Sequence, residues 1–273
     1  MSEPSDHAKH FVNVSGGMAS AVCLFRVLER FGHDDTLSVF ADTNSEDADT
    51  YRFLDDVERT AGVPIHRLAN GGRTIWDVFF GHVMFTTIGN GCTASWDLKK
   101  IPLRRFHAEH ARPGEATIHI GFGWDEENRK RRLRDALPEW QFDFPLAWQP
   151  AILHRCDLME DLRGRGIEPP RLYGDGYSHN NCAGACILAG IKQWAGLLVD
   201  NPSLYRQSEE NEQRFLAMLR ERGRTEITIL KDRRGGEVNN LSLRQLREEI
   251  EAGRKLPDTW RESTCSCMGR LFA

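Results

Sequence analysis

The stretch "FVNVSGGMASAVCLFRVLER", residues 11–30, decides the fold. An apolar run, Phe11–Val14, meets a polar glycine turn, Ser15–Gly17. A helical pattern follows at once, with Ala21, Leu24, Phe25 and Leu28 on one face. Strand, glycine turn and helix in direct succession make an anion site. The first N–H groups of a helix have no intrahelical partner, and the helix dipole places partial positive charge on them. Glycine lets phosphate oxygens approach the backbone closely. Ser15 and Ser20 add hydroxyl donors. The string is neither G-x-x-x-x-G-K-[ST] nor G-x-G-x-x-G, and Ala19 stands where a carboxylate would serve a metal. The competing reading of the local string is a plain turn.

Working outward, strands alternate with helices over the first 145 residues. Residues 36–42 read as a second strand, 64–69 as a third and 116–123 as a fourth. Residues 45–62, opening on a serine cap and closing at Gly62, read as a helix. So do 97–110, with a break expected at Pro102, and 125–137. Such βαβ alternation predicts an α/β fold: a doubly wound, mostly parallel, Rossmann-like sheet. Helical patterns dominate afterwards, at 155–165, within 179–201, at 204–223 and at 240–253, with one short strand expected at 226–230. Ser242 and Gln245 have capping-box spacing. The expected division is a nucleotide-binding α/β domain over 1–146 and a mainly helical extension over 147–273.

Composition narrows the classes. The chain has 273 residues and a net charge of −4. Near-neutrality gives no global case for nucleic-acid binding, although "NRKRRLR" at 128–134 and the pair Arg104–Arg105 are locally basic. No apolar run reaches the roughly 18 residues that span a bilayer. The polar start "MSEPSDHAKH" lacks a signal-peptide core, so a cytoplasmic protein without membrane contact is expected. In a reducing compartment, clustered cysteines point to metal ligation or catalysis rather than disulfides. Four of the seven cysteines cluster: Cys182 with Cys186, and Cys265 with Cys267. Two thiol pairs suggest one tetrathiolate site, for Zn²⁺ or a [4Fe–4S] cluster. The C-x₃-C and C-x-C spacings match neither the zinc knuckle nor the ferredoxin run. If residues 182–186 are helical, both thiols face one side.

"SGGMAS" resembles the S-G-G-x-D-S loop of the PP-loop family, the adenine nucleotide α-hydrolase-like proteins. "FADTNSEDADTYRFLDDV" resembles that family's second motif, D-T-G-x-E followed by T-x-x-F. Asp42, Thr43, Glu46, Thr50 and Phe53 match it, and Asn44 stands for the glycine. "GFGWDEENRKRRL" and "GCTASWDLKKIPLRRF" are similar, more loosely, to later segments. Together these cover residues 11 to 137 and point to the phosphoadenosine phosphosulfate (PAPS) reductase branch.

The resemblance implies an adenine nucleotide, ATP or PAPS/APS, held by Ser15, Gly16, Gly17 and Ser20. Asp42 and Thr43 would lie near the adenosine, and Arg129 would meet phosphate or sulfate. Mg²⁺ takes oxygen ligands, and Ala19 supplies none. Mg²⁺-assisted ATP cleavage would therefore need Asp42, Asp125 or Glu126. The family's iron–sulfur members favour [4Fe–4S] over Zn²⁺ on Cys182, Cys186, Cys265 and Cys267. Cys92, Cys265 and Cys267 are the candidate nucleophiles. The "STCSCMGRLFA" tail is not the Glu-Cys-Gly-Leu/Ile-His tail of assimilatory PAPS reductases.

The expected function is a PAPS reductase-like enzyme of sulfur chemistry. It would reduce a sulfonucleotide or transfer sulfur with ATP, with a sulfur- or electron-donor protein as partner and tRNA or DNA as a candidate substrate. The alternative is a non-catalytic nucleotide-binding module with a structural zinc site. Oligomeric state is not legible.

Overall fold

The computed structural model describes residues 9–87, 91–148, 153–233 and 236–254, so Cys265 and Cys267 lie outside the described residues. Five strands form one sheet: β1 (Lys9–Asn13), β2 (Thr36–Ala41), β3 (Ile65–Leu68), β4 (Ala116–His119) and β5 (Gln141–Asp143). Their order is β3-β2-β1-β4-β5, and every pairing is parallel. The four anticipated strands are present, three with slightly shifted ends and the fourth stopping at His119 instead of running to 123. The fifth has only three residues and no apolar run to announce it.

The sheet is covered on both faces. Helices α1 (Met18–Phe31) and α2 (Ala48–Ala61) share a core with Val12, Val14 and Phe40, in which Phe53 and Leu54 are fully buried. On the opposite face, Phe106 packs with Phe11, Val39 and Ile118. It belongs to the helical segment α3 (Ile75–His82) leads into: α4 (Thr93–Ser95), a π-helical turn (Trp96–Lys100) and α5 (Ile101–His110). The architecture is the doubly wound α/β sheet that the sequence pattern predicts.

Local chemistry explains the helix ends. The α2 cap is Asp47, whose carboxylate accepts the Asp49 N–H at 2.9 Å, not the serine two residues earlier. Ser45 instead donates to the Thr43 carbonyl. Gly62 ends α2 in the left-handed conformation, as expected. Pro102 does not break its helix. The Ile101 N–H reaches back to the Trp96 carbonyl, and this wide turn accommodates the missing proline donor.

After α6 (Glu127–Ala136), the described residues are mainly helical: α7 (Arg155–Gly164), α8 (Arg171–Gly174), α9 (Ile191–Asp200), α10 (Pro202–Glu221) and α11 (Leu243–Glu251). A two-stranded antiparallel ribbon, β6 (Leu230–Asp232) and β7 (Asn239–Leu241), lies a few residues beyond the expected 226–230 strand. The Ser242–Gln245 capping box opens α11 as read. These elements pack onto the sheet layer. Leu162, Ile167 and Tyr173 enter the α1 core, and Phe215, Leu216 and Leu219 pack with Ile75 and Phe79. Buried Glu212 ties them together, accepting the Ile229 and Leu243 N–H groups at 2.9 and 2.6 Å. Among the described residues, no helix is long and apolar enough to cross a membrane.

Candidate active site

The strand order reverses between β1 and β4, so the crevice beyond their C-terminal ends is the ligand position of an open α/β sheet. The Ser15–Gly17 turn lies there. Gly16 has φ +79°, and a Cβ on it would stand 2.5 Å from Thr50 Cγ2. Gly121, just past β4, approaches as closely: a Cβ there would stand 2.7 Å from the Ala19 carbonyl oxygen. Gly17 is the α1 N-cap and no side chain of its own caps the helix. The Ser20 hydroxyl is spent inside the turn. It donates to the Gly17 carbonyl at 2.8 Å and accepts the Ser15 N–H at 2.9 Å. Ser20 therefore shapes the loop, and the Ser15 hydroxyl, on an otherwise exposed residue, donates to Ser20 Oγ at 3.1 Å.

Two residues unmarked in the sequence close over this turn. Asn180, 3% exposed, donates to the Gly16 carbonyl at 3.0 Å and to Thr50 Oγ1 at 2.8 Å. The buried Tyr173 hydroxyl is hydrogen-bonded by the Met18 and Asn180 backbone N–H groups, and burial pushes its pKa up. One orphan donor at the α1 start is thus met by a side chain from the helical part.

The end of β2 forms the second wall. Asn44 has φ +51°, the left-handed conformation that a glycine would otherwise supply and that asparagine tolerates. Asp42 accepts from the Asn44 N–H at 2.8 Å and from the Tyr51 hydroxyl at 2.9 Å. Thr43 donates to Glu46 Oε1 at 3.0 Å. The fully buried Glu46 carboxylate also pairs with Lys99 at 3.0 Å and accepts the Cys182 N–H at 3.1 Å. Glu46 therefore joins the second motif, the wide turn and the backbone of Cys182 in the C-x₃-C pair.

Cys182 and Cys186 are not helical. Cys182 and Ala183 both have positive φ, near +52° and +51°, and a single 3₁₀ turn over Cys182–Gly184 carries them. Consecutive left-handed non-glycine residues are strained, and such strain persists where surrounding contacts enforce it. The turn nonetheless brings the two thiols into hydrogen-bond contact. Cys186 is pulled down to about 7, first by the Cys182 thiol, with the Leu188 and Ala189 N–H groups and Lys99 adding to the effect. Cys182 is pushed well above its ordinary value by the same bond, by burial and by Glu46. Cys92 also feels Cys186, and burial raises its pKa against the Ala94 and Ser95 N–H groups. A cavity of ≈ 340 Å³ borders the cluster, touching Asn44, Glu46, Trp76, Cys182 and Arg214.

The described residues thus bring Cys92, Cys182 and Cys186 into one neighbourhood with Lys99 and Glu46. Lys99 and Glu46 carry the electrostatics of this centre. Glu46 was visible only as a motif letter, and Lys99 as one of two adjacent lysines. Arg129 is occupied elsewhere: it pairs with Glu126 and lies 4.2 Å over the Phe122 ring. Among the described residues, no group of three or more histidine, cysteine or carboxylate side chains is arranged to hold a metal ion. The Cys182 thiol and backbone N–H groups favour the thiolate that metal ligation needs at Cys186, whereas the same thiol–thiol bond, burial and Glu46 oppose it at Cys182.

No protein-family model matches the chain, and no curated protein matches it. Among solved structures, the chain is similar to the phosphoadenylyl-sulfate (PAPS) reductase from Candida auris, crystallised as a phosphate complex. The TM-score is 0.41 at 12% identity, over 62% of this chain and 79% of that chain. The α/β assignment rests on the strand order and pairing described above.

Proposed function

We propose that this chain is an adenine-nucleotide-binding, PAPS reductase-like enzyme of sulfur chemistry. The observation that supports it most is the Ser15–Gly17 turn at the β1/β4 switch point, with Gly16 and Gly121 leaving no room for a Cβ. Backbone N–H groups of Gly16 and Gly17, with the Ser15 hydroxyl, would hold a phosphate or sulfate group. Asp42 and Thr43 would face the adenosine, and Arg129 would reach the anion on leaving Glu126.

Sulfonucleotide reduction fits these residues better than ATP cleavage. Ala19 offers Mg²⁺ no ligand, and the Asp42 carboxylate is engaged by Tyr51 and Asn44. A thiolate would attack the sulfur of the sulfonucleotide: Cys92 where Cys265 and Cys267 hold a cluster, or Cys265 or Cys267 where they do not. The S–O bond breaks, its electron pair leaves on the AMP-type phosphate, and the sulfonate remains on the cysteine. A second thiol attacks that cysteine sulfur, expels sulfite and leaves a disulfide for an external dithiol protein to reduce. Cys182 and Cys186, with Cys265 and Cys267, would hold a [4Fe–4S] cluster. When bound, it would supply redox capacity.

Calorimetric titration with ATP, AMP, APS and PAPS tests the reading, alongside anaerobic purification with iron, sulfide and zinc analysis. Binding of a sulfonucleotide and sulfite release with a dithiol reductant are expected. Failure of every adenine nucleotide to bind refutes the reading. Nucleotide binding with stoichiometric zinc and no sulfite identifies the non-catalytic module instead.

A further inference from the structure

The segment Trp96–His110 has two chemically different faces. Inward, Leu98, Phe106 and His107 are buried, and Lys99 reaches Glu46. Outward, Trp96 is 40% exposed, with Lys100 Nζ 5.5 Å and the Arg104 guanidinium 4.9 Å from its ring centroid. The next helix, α6, is more unusual. Eight of its ten residues are exposed and only Lys130 is buried. A helix that is polar all round gains little from the core. Arg131 and Arg132 project from it into solvent.

Topology sets the two helices side by side. The connections β3–α5–β4 and β4–α6–β5 run in the same direction across the sheet. Right-handed crossovers then put both helices on the face opposite α1 and α2. Both start at the C-terminal edge of the strands, as does Trp124, which is 48% exposed. Residues 96–110 and 127–136 carry nine Lys and Arg against four Asp and Glu, in a chain whose net charge is −4. Of these, Lys99 pairs with Glu46, the buried Lys130 with Glu127, and Arg129 and Arg134 with Glu126 and Glu127, so the outward positive charge is that of Lys100, Arg104, Arg105, Arg131 and Arg132.

We infer that this face docks a single-stranded nucleic acid. Arg104, Arg131, Arg132 and Lys100 match the phosphates, and the exposed indole of Trp96 offers a stacking platform for an unpaired base. A duplex hides that base face. Trp96 stands four residues beyond Cys92, the N-cap of the α4 turn that leads into it. The inference stands independently of nucleotide binding at the Ser15–Gly17 turn.

The test is fluorescence anisotropy with fluorescein-labelled DNA and RNA single strands of about 20 nucleotides, the matching duplex, and heparin as a charge-only competitor. Single strands are expected to bind more tightly than duplex, with affinity falling at least about tenfold between about 50 and about 200 mM salt. Arg131→Glu with Arg132→Glu is expected to weaken every polyanion about tenfold or more. Trp96→Ala is expected to weaken single strands alone by about tenfold, and Trp96→Phe to restore most of it. Both variants should keep wild-type circular dichroism. The inference is overturned by absence of binding at about 50 mM salt. Charge-reversal variants that bind like wild type also overturn it, as does a Trp96→Ala variant that binds single strands unchanged. Calorimetric titration of the same preparations with AMP and PAPS reads the nucleotide loop, so failure at this face and failure at the loop are separately visible.

Discussion

Gly16→Ala probes the contact on which the candidate site depends. Two costs add. Alanine at φ +79° occupies the left-handed region, which costs about 1–2 kcal/mol for a residue bearing a Cβ. The new Cβ would also lie 2.5 Å from Thr50 Cγ2, whereas carbon atoms settle at about 3.5–4.0 Å. Thr50 must move by an ångström or more, yet its Oγ1 is held by Asn180 at 2.8 Å. Overpacking of this kind costs about 1–3 kcal/mol. Reduced freedom of the unfolded chain returns about 0.4–1 kcal/mol. The net expectation is a loss of about 2–4 kcal/mol. Thr50→Ser deletes the clashing methyl and keeps the hydroxyl for Asn180. Urea unfolding of the two single variants and the double variant therefore forms a cycle. The steric part should vanish in the double variant, giving a coupling of about 1–3 kcal/mol, while the φ cost stays. Additivity within about 0.5 kcal/mol would refute the proposed packing of the first motif on the second.

Further outcomes concern charge. Lys99→Met should destabilise by about 3–5 kcal/mol by stranding the buried Glu46 carboxylate, and adding Glu46→Gln should recover much of it; equal unfolding midpoints for both variants would contradict the buried pair. In the metal-free protein under reducing conditions, iodoacetamide should label Cys186 before Cys23, Cys92 and Cys182, with a rate midpoint near pH 7 by peptide mass mapping; a midpoint near 9 would count against the Cys182 and N–H contacts. Glu212 is raised from 4.5 to about 7 by burial, so the folded state binds more protons between those values. Its share of stability is full below pH 4.5 and falls by about 3 kcal/mol as pH rises to 7. The difference between wild type and Glu212→Gln across that range should show this slope, and a flat difference would refute it. His107 and His119 act oppositely: burial holds them neutral, down to about 4 and about 3, so their share is full above 6.5 and is lost as pH falls through those values. Acid unfolding monitored by circular dichroism should shift to lower pH in His119→Asn.

The sheet was legible because its strands are buried on both faces, and burial leaves mainly apolar runs at 11–14 and 36–41, interrupted only by Asn13, Thr36 and Ser38. Strand β5 was not, because three residues at an edge carry too little pattern. The Asn44 substitution was legible as a glycine position, and its φ of +51° gives the reason. The Cys182–Cys186 spacing brought the thiols together, but through a strained left-handed turn rather than a helix. A helical period cannot distinguish those cases, since both place residues four apart on one side.

What no local string could carry is the set of contacts between distant segments. Gly16 and Thr50 belong to two motifs, and their packing explains why a side chain is excluded at one and a compact β-branched hydroxyl stands at the other. Asn180 then bridges both. Glu46 extends the same chain of contacts from Thr43 to Lys99 and the Cys182 backbone. The nucleotide loop and the thiols are thus coupled through two buried polar residues, each satisfied by partners from the other region. In a low-dielectric interior, leaving either one unpaired costs about 1–3 kcal/mol or more. A displacement at the loop is therefore expected to reach the Cys182 turn. This coupling predicts that Asn180→Ala changes iodoacetamide reactivity at Cys186 although the two side chains serve different walls of the site. Unchanged labelling in that variant would mean the loop and the thiols act as independent units.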